Sequence, residues 1–471
     1  MTDLPTGWAA TTLGDATETT RPICYGVLKP GPFVADGVPL VRIVDIADYR
    51  LVLDEAHRIS HQLDEEFSRS RLQGGEVLLS IQGTVGRAAI CPLEAAGANV
   101  SRTVAVIDPD RRFVKRYLLF YFWHLSCEGS YEAGGTTRAS LNISTIREMV
   151  VPMPPVAEQE RIVTAIEEAF SKLDAGEAAL RNVRRLLKRM RESILTAAVT
   201  GRLVPQDSTD TPAAKLLADF GVEAAEPDGV PELPPSWSWA ELGVIADVVG
   251  GVTKDSKRQS DPSFVEVPYL RVANVQRGFL DLETITTIRV APEKAGQLQL
   301  QPGDVLFNEG GDRDKLGRGW VWEGQIASCI HQNHVFRARL SGGVEPKLVS
   351  IWGNTFGRGW FEDRGKQTTN LASLNLKTLK AFPVPIAPVE EQSRILAEVE
   401  RQMSFLDACE RAVDIGLARA AGLRRSVLKA AFEGRLVPQD PSDEPVSVLL
   451  DRIRAERSVQ PADKRRARQT A

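Results

Sequence analysis

Polar residues suited to hydrogen bonding are concentrated in two segments of the sequence. Residues 81–103 and 308–337 are both rich in Arg, Asn, Gln, His, Ser and Gly. Guanidinium and amide groups of this kind match the donor and acceptor patterns of base edges in DNA. Ordinary protein surfaces have a similar composition, so these segments are compatible with nucleic-acid binding without establishing it.

Motifs that would indicate catalysis are absent from the sequence. No Asp or Asn is followed by Pro-Pro and an aromatic residue, the loop that an amino-methyltransferase needs for its target amine. The Gly-Lys pair at 365–366 lacks the flanking residues of a phosphate-binding loop. His57 and His61 are close in sequence, as are His331 and His334, but neither pair has the neighbouring ligands of a metal site. The pattern favours a binding protein.

Length and composition predict a multidomain protein of the cytoplasm. The chain has 471 residues, of which 43% are hydrophobic, enough for more than one buried core. Its five cysteines form no C-x-x-C pair, which fits a reducing compartment. The N-terminal sequence does not resemble a signal peptide, and no apolar run approaches membrane-spanning length.

The charge gives two opposing indications about nucleic acid. A net charge of −4 argues against a stand-alone DNA binder, because neutralising phosphates supplies much of the affinity. Basic residues are nevertheless clustered at 111–116, 181–191 and 464–468. Each cluster is either a solvated face or a phosphate contact, and composition leaves both alternatives open.

The elements that would position the polar segments are recognised from an internal repeat. Residues 154–207 recur without a gap at 387–440. In each copy a proline, Pro155 or Pro388, precedes a helical pattern, and a glycine, Gly201 or Gly434, follows it. Each copy is therefore predicted to form one helix of roughly 45 residues, which an ordinary globular core cannot cover.

Apolar residues of both predicted helices recur every seven positions, which predicts a coiled coil. Two such helices in one chain are expected to pair with each other in antiparallel orientation, with pseudo-two-fold symmetry. Packing of each helix on its own domain is the alternative. The predicted seam is Ile166, Leu173, Leu180, Leu187 and Ile194 with Ile162, Ala169, Gly176, Val183, Met190 and Ala197, and then Val399, Leu406, Val413, Ala420 and Val427 with Ile395, Gln402, Cys409, Gly416, Leu423 and Ala430.

The repeat also includes the segments that precede the helices. The strand-like segment VPLVRIVDI at 38–46 matches VPYLRVANV at 267–275, and EVLLSI and VAVI are further predicted strands of the first copy. Residues 114–127 have helical spacing, and their aromatic residues are expected to belong to the core. The fold class is therefore α+β, with two similar mixed α/β domains separated by the two long helices.

The predicted boundaries follow from this plan. They are a first domain at 1–153, a first long helix at 154–206, a short helix and linker at 207–231, a second domain at 232–386, a second long helix at 387–440, and a short C-terminal helix with a basic tail at 441–471.

The duplicated order of motifs resembles the specificity subunit of type I restriction–modification systems. The matching motifs are LPTGW and LPPSW, GEVLLS and GDVLFN, ASLN before a Pro-x-Pro stretch, VAEQERI and VEEQSRI, and GRLVPQD at each helix end. The resemblance extends over nearly the whole chain. It implies two target-recognition domains, each reading half of a split double-stranded DNA site, and a chain without catalytic, cofactor or metal residues.

The resemblance also implies partners. Two modification subunits would bind S-adenosylmethionine and methylate adenine, and restriction subunits would use ATP and Mg²⁺ to translocate and cut DNA. Two rival interpretations remain: a specificity-type subunit of another defence complex or of a methyltransferase-only system, and a helical scaffold without a nucleic-acid role.

The residues expected to contact DNA lie mostly in the segments where the two copies differ. Arg42 and Arg271 occupy matching positions of the repeat, so they are expected to hold phosphate or to support the fold. The complete set is Arg42, Gln82, Arg87, Ser101, Arg102 and Thr103 in the first domain, and Arg271, Asn308, Arg313, Lys315, Arg318, Gln332, Asn333 and His334 in the second.

Overall fold

A computed structural model describes most of the chain as two compact units. The first unit consists of residues 1–180 and 414–471, and the second of residues 181–413. Each unit therefore contains one globular domain and part of both long helices, whereas the sequence suggested the helices as separate segments. The described residues are 4–47, 49–131, 140–222, 227–256, 259–311, 315–364, 366–367 and 372–459.

The domain of the first unit is built on a four-stranded antiparallel sheet in the order β2-β10-β7-β8 and a mixed sheet in the order β6-β3-β9. Strands β1 and β11 pair with each other, as do β4 and β5. Short 3₁₀ turns lie at Ile43–Asp45, Ser68–Ser70 and Leu93–Ala95. The elements are β1 (Ala9–Thr12), β2 (Cys24–Tyr25), β3 (Val38–Val41), β4 (Ile46–Ala47), β5 (Arg50–Leu51), β6 (His57–Ile59), α1 (His61–Glu66), β7 (Val77–Ser80), β8 (Ala88–Ile90), β9 (Asn99–Val100), β10 (Val104–Ile107), α2 (Lys115–Cys127), α3 (Ile143–Glu148) and β11 (Val150–Met153), followed by the long helix α4 (Val156–Val199).

The domain of the second unit repeats this topology strand for strand. Its main sheet has the order β13-β22-β18-β20, its mixed sheet the order β17-β14-β21, and β12–β25 and β15–β16 are the matching pairs. A further small sheet has the order β19-β24-β23. The elements are α5 (Ala213–Asp219), β12 (Ser238–Glu241), α6 (Leu242–Ile245), β13 (Ala246–Gly250), β14 (Val265–Leu270), β15 (Val275–Gln276), β16 (Phe279–Leu280), β17 (Thr286–Val290), α7 (Pro292–Leu298), β18 (Val305–Asn308), β19 (Gly310–Gly311), β20 (Gly319–Val321), β21 (Ile330–His331), β22 (Val335–Leu340), α8 (Pro346–Thr355), α9 (Gly357–Arg364), β23 (Lys366–Gln367), β24 (Ala372–Ser373), α10 (Leu376–Lys380) and β25 (Pro383–Ile386), followed by the long helix α11 (Val389–Phe432). The C-terminal helix α12 (Val446–Val459) belongs to the first unit.

The predicted strand at 38–46 is wrong in its second half, because β3 ends at Val41. The carboxylate of Asp45 accepts a hydrogen bond from the Arg42 backbone N–H at 2.7 Å, and this cap starts a 3₁₀ turn. In the second domain the side chain of Asn274 accepts from the Arg271 backbone N–H at 2.9 Å. The same turn therefore interrupts both copies of the predicted strand.

The two long helices pair in antiparallel orientation, as predicted. In the first unit the guanidinium of Arg424 on α11 lies 2.6 Å from Asp174 and 2.9 Å from Glu177 on α4. In the second unit Arg191 on α4 lies 2.5 Å from Asp407 on α11. These are equivalent positions of the repeat, so each unit contains the same ion-pair arrangement with the roles of the helices exchanged.

The predicted seam is only partly buried. Leu187, Leu406 and Val413 are buried between the helices. The second predicted row is wrong in the C-terminal half of each helix, where Met190 is 48% and Leu423 47% exposed. Two helices without a third element between them bury a single stripe, so the outer row faces solvent there.

Each long helix is joined to its domain by a buried tryptophan–glutamate pair. The indole N–H of Trp8 donates to the Glu158 carboxylate at 3.0 Å, and that of Trp237 donates to Glu391 at the same distance. Burial raises the pKa of both carboxyl groups. The LPTGW and LPPSW motifs therefore carry the residues that fix the start of each helix against its domain.

Candidate nucleic-acid interface

The predicted site residues of the first domain gather where several strands end. The Ile81 N–H donates to the Thr103 carbonyl, and the Ser101 and Arg102 N–H groups donate to Val41 and Val27. We call residues 82–87 with 101–103 the first loop cluster. The backbone bonds hold its two segments side by side, and they leave the side chains of Gln82, Arg87 and Arg102 exposed.

Not every side chain of the first loop cluster points to solvent. Ser101 is buried, and its hydroxyl lies 2.7 Å from that of Thr103. The guanidinium of Arg87 donates to the Ile46 carbonyl at 3.3 Å. The Arg42 guanidinium lies 3.1 Å from Asp45, so this arginine supports the turn after β3. Gln82 and Arg102 are therefore the best-placed candidates for reading a ligand.

The second domain presents the same backbone arrangement with different side chains. The Glu309 N–H donates to the His334 carbonyl, and the Gln332 and Asn333 N–H groups donate to Leu270 and Val252. We call residues 309–311, 315–318 and 332–334 the second loop cluster. It places Gln332, Asn333 and His334 where the first domain has Ser101, Arg102 and Thr103.

The prediction that Asn308 contacts DNA is wrong. Its side chain is fully buried, and its amide donates to the carbonyls of Val275 at 2.9 Å and Val272 at 3.3 Å. Asn308 is the last residue of β18, and its equivalent in the first domain, Ser80, is buried in the same way. Both side chains hold the loop cluster above them and cannot reach a base.

Glu309 is a candidate that the sequence prediction missed. Its carboxylate lies 2.6 Å from Nδ1 of His334, and Nδ2 of Asn333 lies 3.3 Å from Nε2 of the same ring. The equivalent residue of the first domain is the buried Ile81. A carboxylate in place of an apolar side chain is a difference between the copies that aligning their loops reveals.

The remaining predicted residues of the second domain that the structure describes are Arg318, Lys315 and Arg271. The Arg318 guanidinium donates to the Val272 carbonyl at 3.5 Å, and Lys315 is half-buried in the same loop. Arg271 is also half-buried, with its backbone held by Asn274. Arg313 lies outside the described residues.

The basic clusters differ in whether neighbouring carboxylates pair with their side chains. Within 111–116, Arg112 pairs with Asp110 at 2.7 Å, Lys115 with Asp108 at 3.2 Å, and Arg116 with Glu167. These carboxylates neutralise three of the four basic side chains of the cluster, which argues against a phosphate-binding patch there. Within 181–191 most basic side chains are exposed along α4. The cluster at 464–468 lies outside the described residues.

A glycine on the segment beside each loop cluster allows two backbones to approach closely. A Cβ atom on Gly26 would lie 1.9 Å from the Val100 carbonyl oxygen, and one on Gly251 would lie 2.0 Å from that of His331. The residues that follow, Val27 and Val252, form the parallel bridges to Ser101 and Gln332. Only a residue without a side chain fits at either position.

The second loop cluster rests on a buried neutral histidine. His331 is fully buried, and its Nδ1–H donates to the Val335 carbonyl at 2.6 Å. Burial lowers the pKa of the imidazole to about 4. His331 is therefore uncharged at neutral pH, and it closes the turn that carries Gln332, Asn333 and His334.

The lowered pKa of His331 predicts an acid-sensitive second unit. Between pH 6.5 and about 4 the unfolded chain binds a proton at this residue and the folded chain does not, so stability falls as the pH falls. From pH 7 to pH 5 this residue is expected to remove about 2 kcal/mol of unfolding free energy. His331→Val, which introduces the residue found at the equivalent Val100, should lose that part of the pH dependence in denaturant titrations. His334→Gln, at an exposed position, should keep it, and an unchanged pH dependence in His331→Val would contradict the assignment.

The described residues show neither a metal centre nor a membrane span. No group of three or more His, Cys, Asp or Glu side chains among them is arranged to hold a metal ion. No helix in the described ranges is both long and apolar enough to cross a bilayer.

Comparison with known proteins agrees with this geometry. Residues 37–182 match the model of the type I restriction modification DNA specificity domain. The EcoKI specificity subunit of Escherichia coli is 23% identical over 97% of both chains. The chain is thus similar to type I restriction–modification specificity subunits in one family-model match and along nearly its whole length. The EcoBI specificity subunit of Escherichia coli is 31% identical, over 48% of this chain and about half the length of that relative (50%).

Two solved structures share this fold. A chain from a study of assembly and conformational transition in a type I restriction–modification system matches with a TM-score of 0.60 and 20% identity, covering 92% of this chain and all of that one (100%). The HsdS subunit from Thermoanaerobacter tengcongensis matches with a TM-score of 0.52 and 19% identity, covering 92% and 98%. The α+β fold with long helices and two similar domains is therefore confirmed.

Proposed function

We propose that this chain is a DNA specificity subunit that reads an asymmetric, two-part sequence of double-stranded DNA and contributes recognition without catalysis. The supporting observation is the pair of loop clusters, which share a backbone and differ in side chains. Because the two loop clusters share a backbone conformation, both can approach DNA in the same orientation. Because their side chains differ, they would select different bases. Two unlike readers in one chain favour a target with two unlike halves.

The repeated framework also supports the proposed partners. The buried Trp8–Glu158 and Trp237–Glu391 pairs hold the start of each long helix against its domain in the same way, so the surfaces around the two helix starts are expected to match. We assign these surfaces to two copies of a modification subunit, which would supply S-adenosylmethionine and methylate adenine. Restriction subunits, with ATP and Mg²⁺, would join that complex. In a methyltransferase-only system or another defence complex, this chain would recognise DNA in the same way. The genes adjacent to this one show which of these complexes it joins.

Mapping modified adenines tests the proposal directly. A modification subunit encoded beside this chain should methylate one split sequence when both are expressed together in a host that lacks other adenine methyltransferases. Expression of the modification subunit alone is the control and should leave that sequence unmodified. Identical modification patterns with and without this chain would contradict the proposal and favour a helical scaffold.

A further inference from the structure

The second unit contains a cavity that the first unit fills with aromatic rings. Helices α2 and α8 begin at equivalent positions, because the Val114 N–H donates to Gln159 at 3.0 Å and the Glu345 N–H donates to Gln392 at 2.7 Å. The β4–β5 and β15–β16 hairpins are also equivalent. These matches allow the residues between each domain and its long helices to be compared one by one.

In the first unit three aromatic side chains close this space. The ring of Tyr49, at the β4–β5 turn, stacks on Trp123 with centroids 3.7 Å apart and planes 15° apart. Trp123 contacts the edge of Phe170 on α4 at 4.9 Å, and Arg424 covers Phe170 at 5.3 Å. Tyr49 has a φ of 59°, which non-glycine residues rarely adopt. The stack stabilises that conformation.

In the second unit the equivalent residues are Gly278, Asn354 and Met403. All three line a cavity of about 1100 Å³. Gly278 has a φ of 85°, so the turn has the same shape as in the first unit but carries no ring. The cavity therefore includes the space that Tyr49, Trp123 and Phe170 occupy in the other copy.

The remaining walls are aromatic and aliphatic. Trp352 and Phe356 stack with centroids 4.4 Å apart, and Trp320 and Ile351 lie beside them. Flat apolar walls of this kind favour a planar aromatic ligand that stacks as Tyr49 does in the first unit.

The lining of the cavity contains four arginines, two of which are ion-paired with neighbouring carboxylates. It contains Arg191, Arg202, Arg277 and Arg358 and one acidic residue, Glu192. Arg191 is paired with Asp407, and Arg358 with Glu362. Arg202 is exposed and donates to the Thr200 hydroxyl at 3.1 Å, so its guanidinium remains accessible to a ligand. Cationic groups beside aromatic walls favour a negatively charged group on the ligand.

We propose that this cavity binds a small planar aromatic molecule that carries an anionic group. The site lies entirely within the second unit, and its lining includes none of the residues assigned to DNA reading. Binding there is therefore a property separate from the proposed function, and either can fail without the other.

Two matched dyes test the proposal on the full chain. 8-Anilinonaphthalene-1-sulfonate and the uncharged N-phenyl-1-naphthylamine share their rings and differ in the sulfonate. The anionic dye is expected to bind at one saturable site, about tenfold more tightly than the neutral dye, because a charged hydrogen bond contributes about 1.5 kcal/mol. Equal affinity of the two dyes, or binding without saturation, would overturn the proposal.

Substitutions of residues that line the cavity test whether the dye binds there. Gly278→Tyr introduces the ring found at Tyr49 into open space, and it should weaken dye binding at least about tenfold by occupying the cavity. Gly221→Tyr is the matched control, because Gly221 also has a positive φ of 71° and nothing within 4 Å of an added Cβ. It should bind the dye normally. Met403→Phe fills the cavity without changing a turn, so it tests the site even if Gly278→Tyr folds poorly. Normal binding by Met403→Phe and Gly278→Tyr would overturn the assignment.

Discussion

Gly251→Ala is expected to destabilise the second unit by about 3 kcal/mol or more, because an added methyl group cannot be accommodated beside a backbone carbonyl. Its Cβ would lie 2.0 Å from the carbonyl oxygen of His331 and 2.5 Å from that of Gln332. To relieve this overlap, the segment that contains Gly251 must move away from the backbone of His331 and Gln332. That movement breaks the parallel bridge between Val252 and Gln332. Thermal and denaturant unfolding of the full chain measure the loss.

The neighbouring residue provides the control for that substitution. A Cβ on Gly250 would meet the Phe336 ring at 3.9 Å, an ordinary contact distance. Gly250→Ala should therefore change the unfolding free energy by less than about 1 kcal/mol. Equal stability of the two variants would show that the close approach of the backbones does not limit this position.

Asn333→Ala is expected to relax DNA selection at one half of the target only. If its amide reads a base, the loss corresponds to about 1–3 kcal/mol of discrimination against the wrong base. Methylated sites should then vary at positions read by the second domain, while positions read by the first stay fixed. Mapping of modified adenines, with the partner modification subunit present, measures both halves in one experiment.

Arg102→Ala provides the reciprocal variant, because Arg102 occupies the equivalent position of the first loop cluster. It should relax the other half of the target. The two variants together test whether each domain reads one half. Relaxation of the same half by both, or of both halves by either, would contradict the assignment.

The long helices could be predicted from the sequence because their pattern is local and repeats over many turns. The seven-residue period of their apolar residues predicted that the helices pair. Proline and glycine predicted where each helix begins and ends, and the helices run from Val156 to Val199 and from Val389 to Phe432. The exposure of Met190 and Leu423 could not be predicted, because a period does not show how many helices share a seam.

The loop clusters were harder to predict because burial there depends on contacts between distant segments. Asparagine is a residue type common on protein surfaces. Asn308 is nevertheless the last residue of the fully buried strand β18, and its side-chain amide donates to a backbone carbonyl. Glu309 could have been found by extending the alignment of GEVLLS with GDVLFN by one residue to Ile81. The turns at Arg42 and Arg271 depend on side-chain caps that a strand pattern does not reveal.

The discontinuity of the first unit sets an order in which the chain can finish folding during synthesis. The second unit is one continuous stretch, residues 181–413, and can close before the chain is complete. The core of the first domain also contains Leu428, Phe432 and Ile453, which are synthesised after the whole of the second unit. The first domain therefore stays incomplete until these residues are made, and a chain that stops before them would lose the first reader while retaining the second.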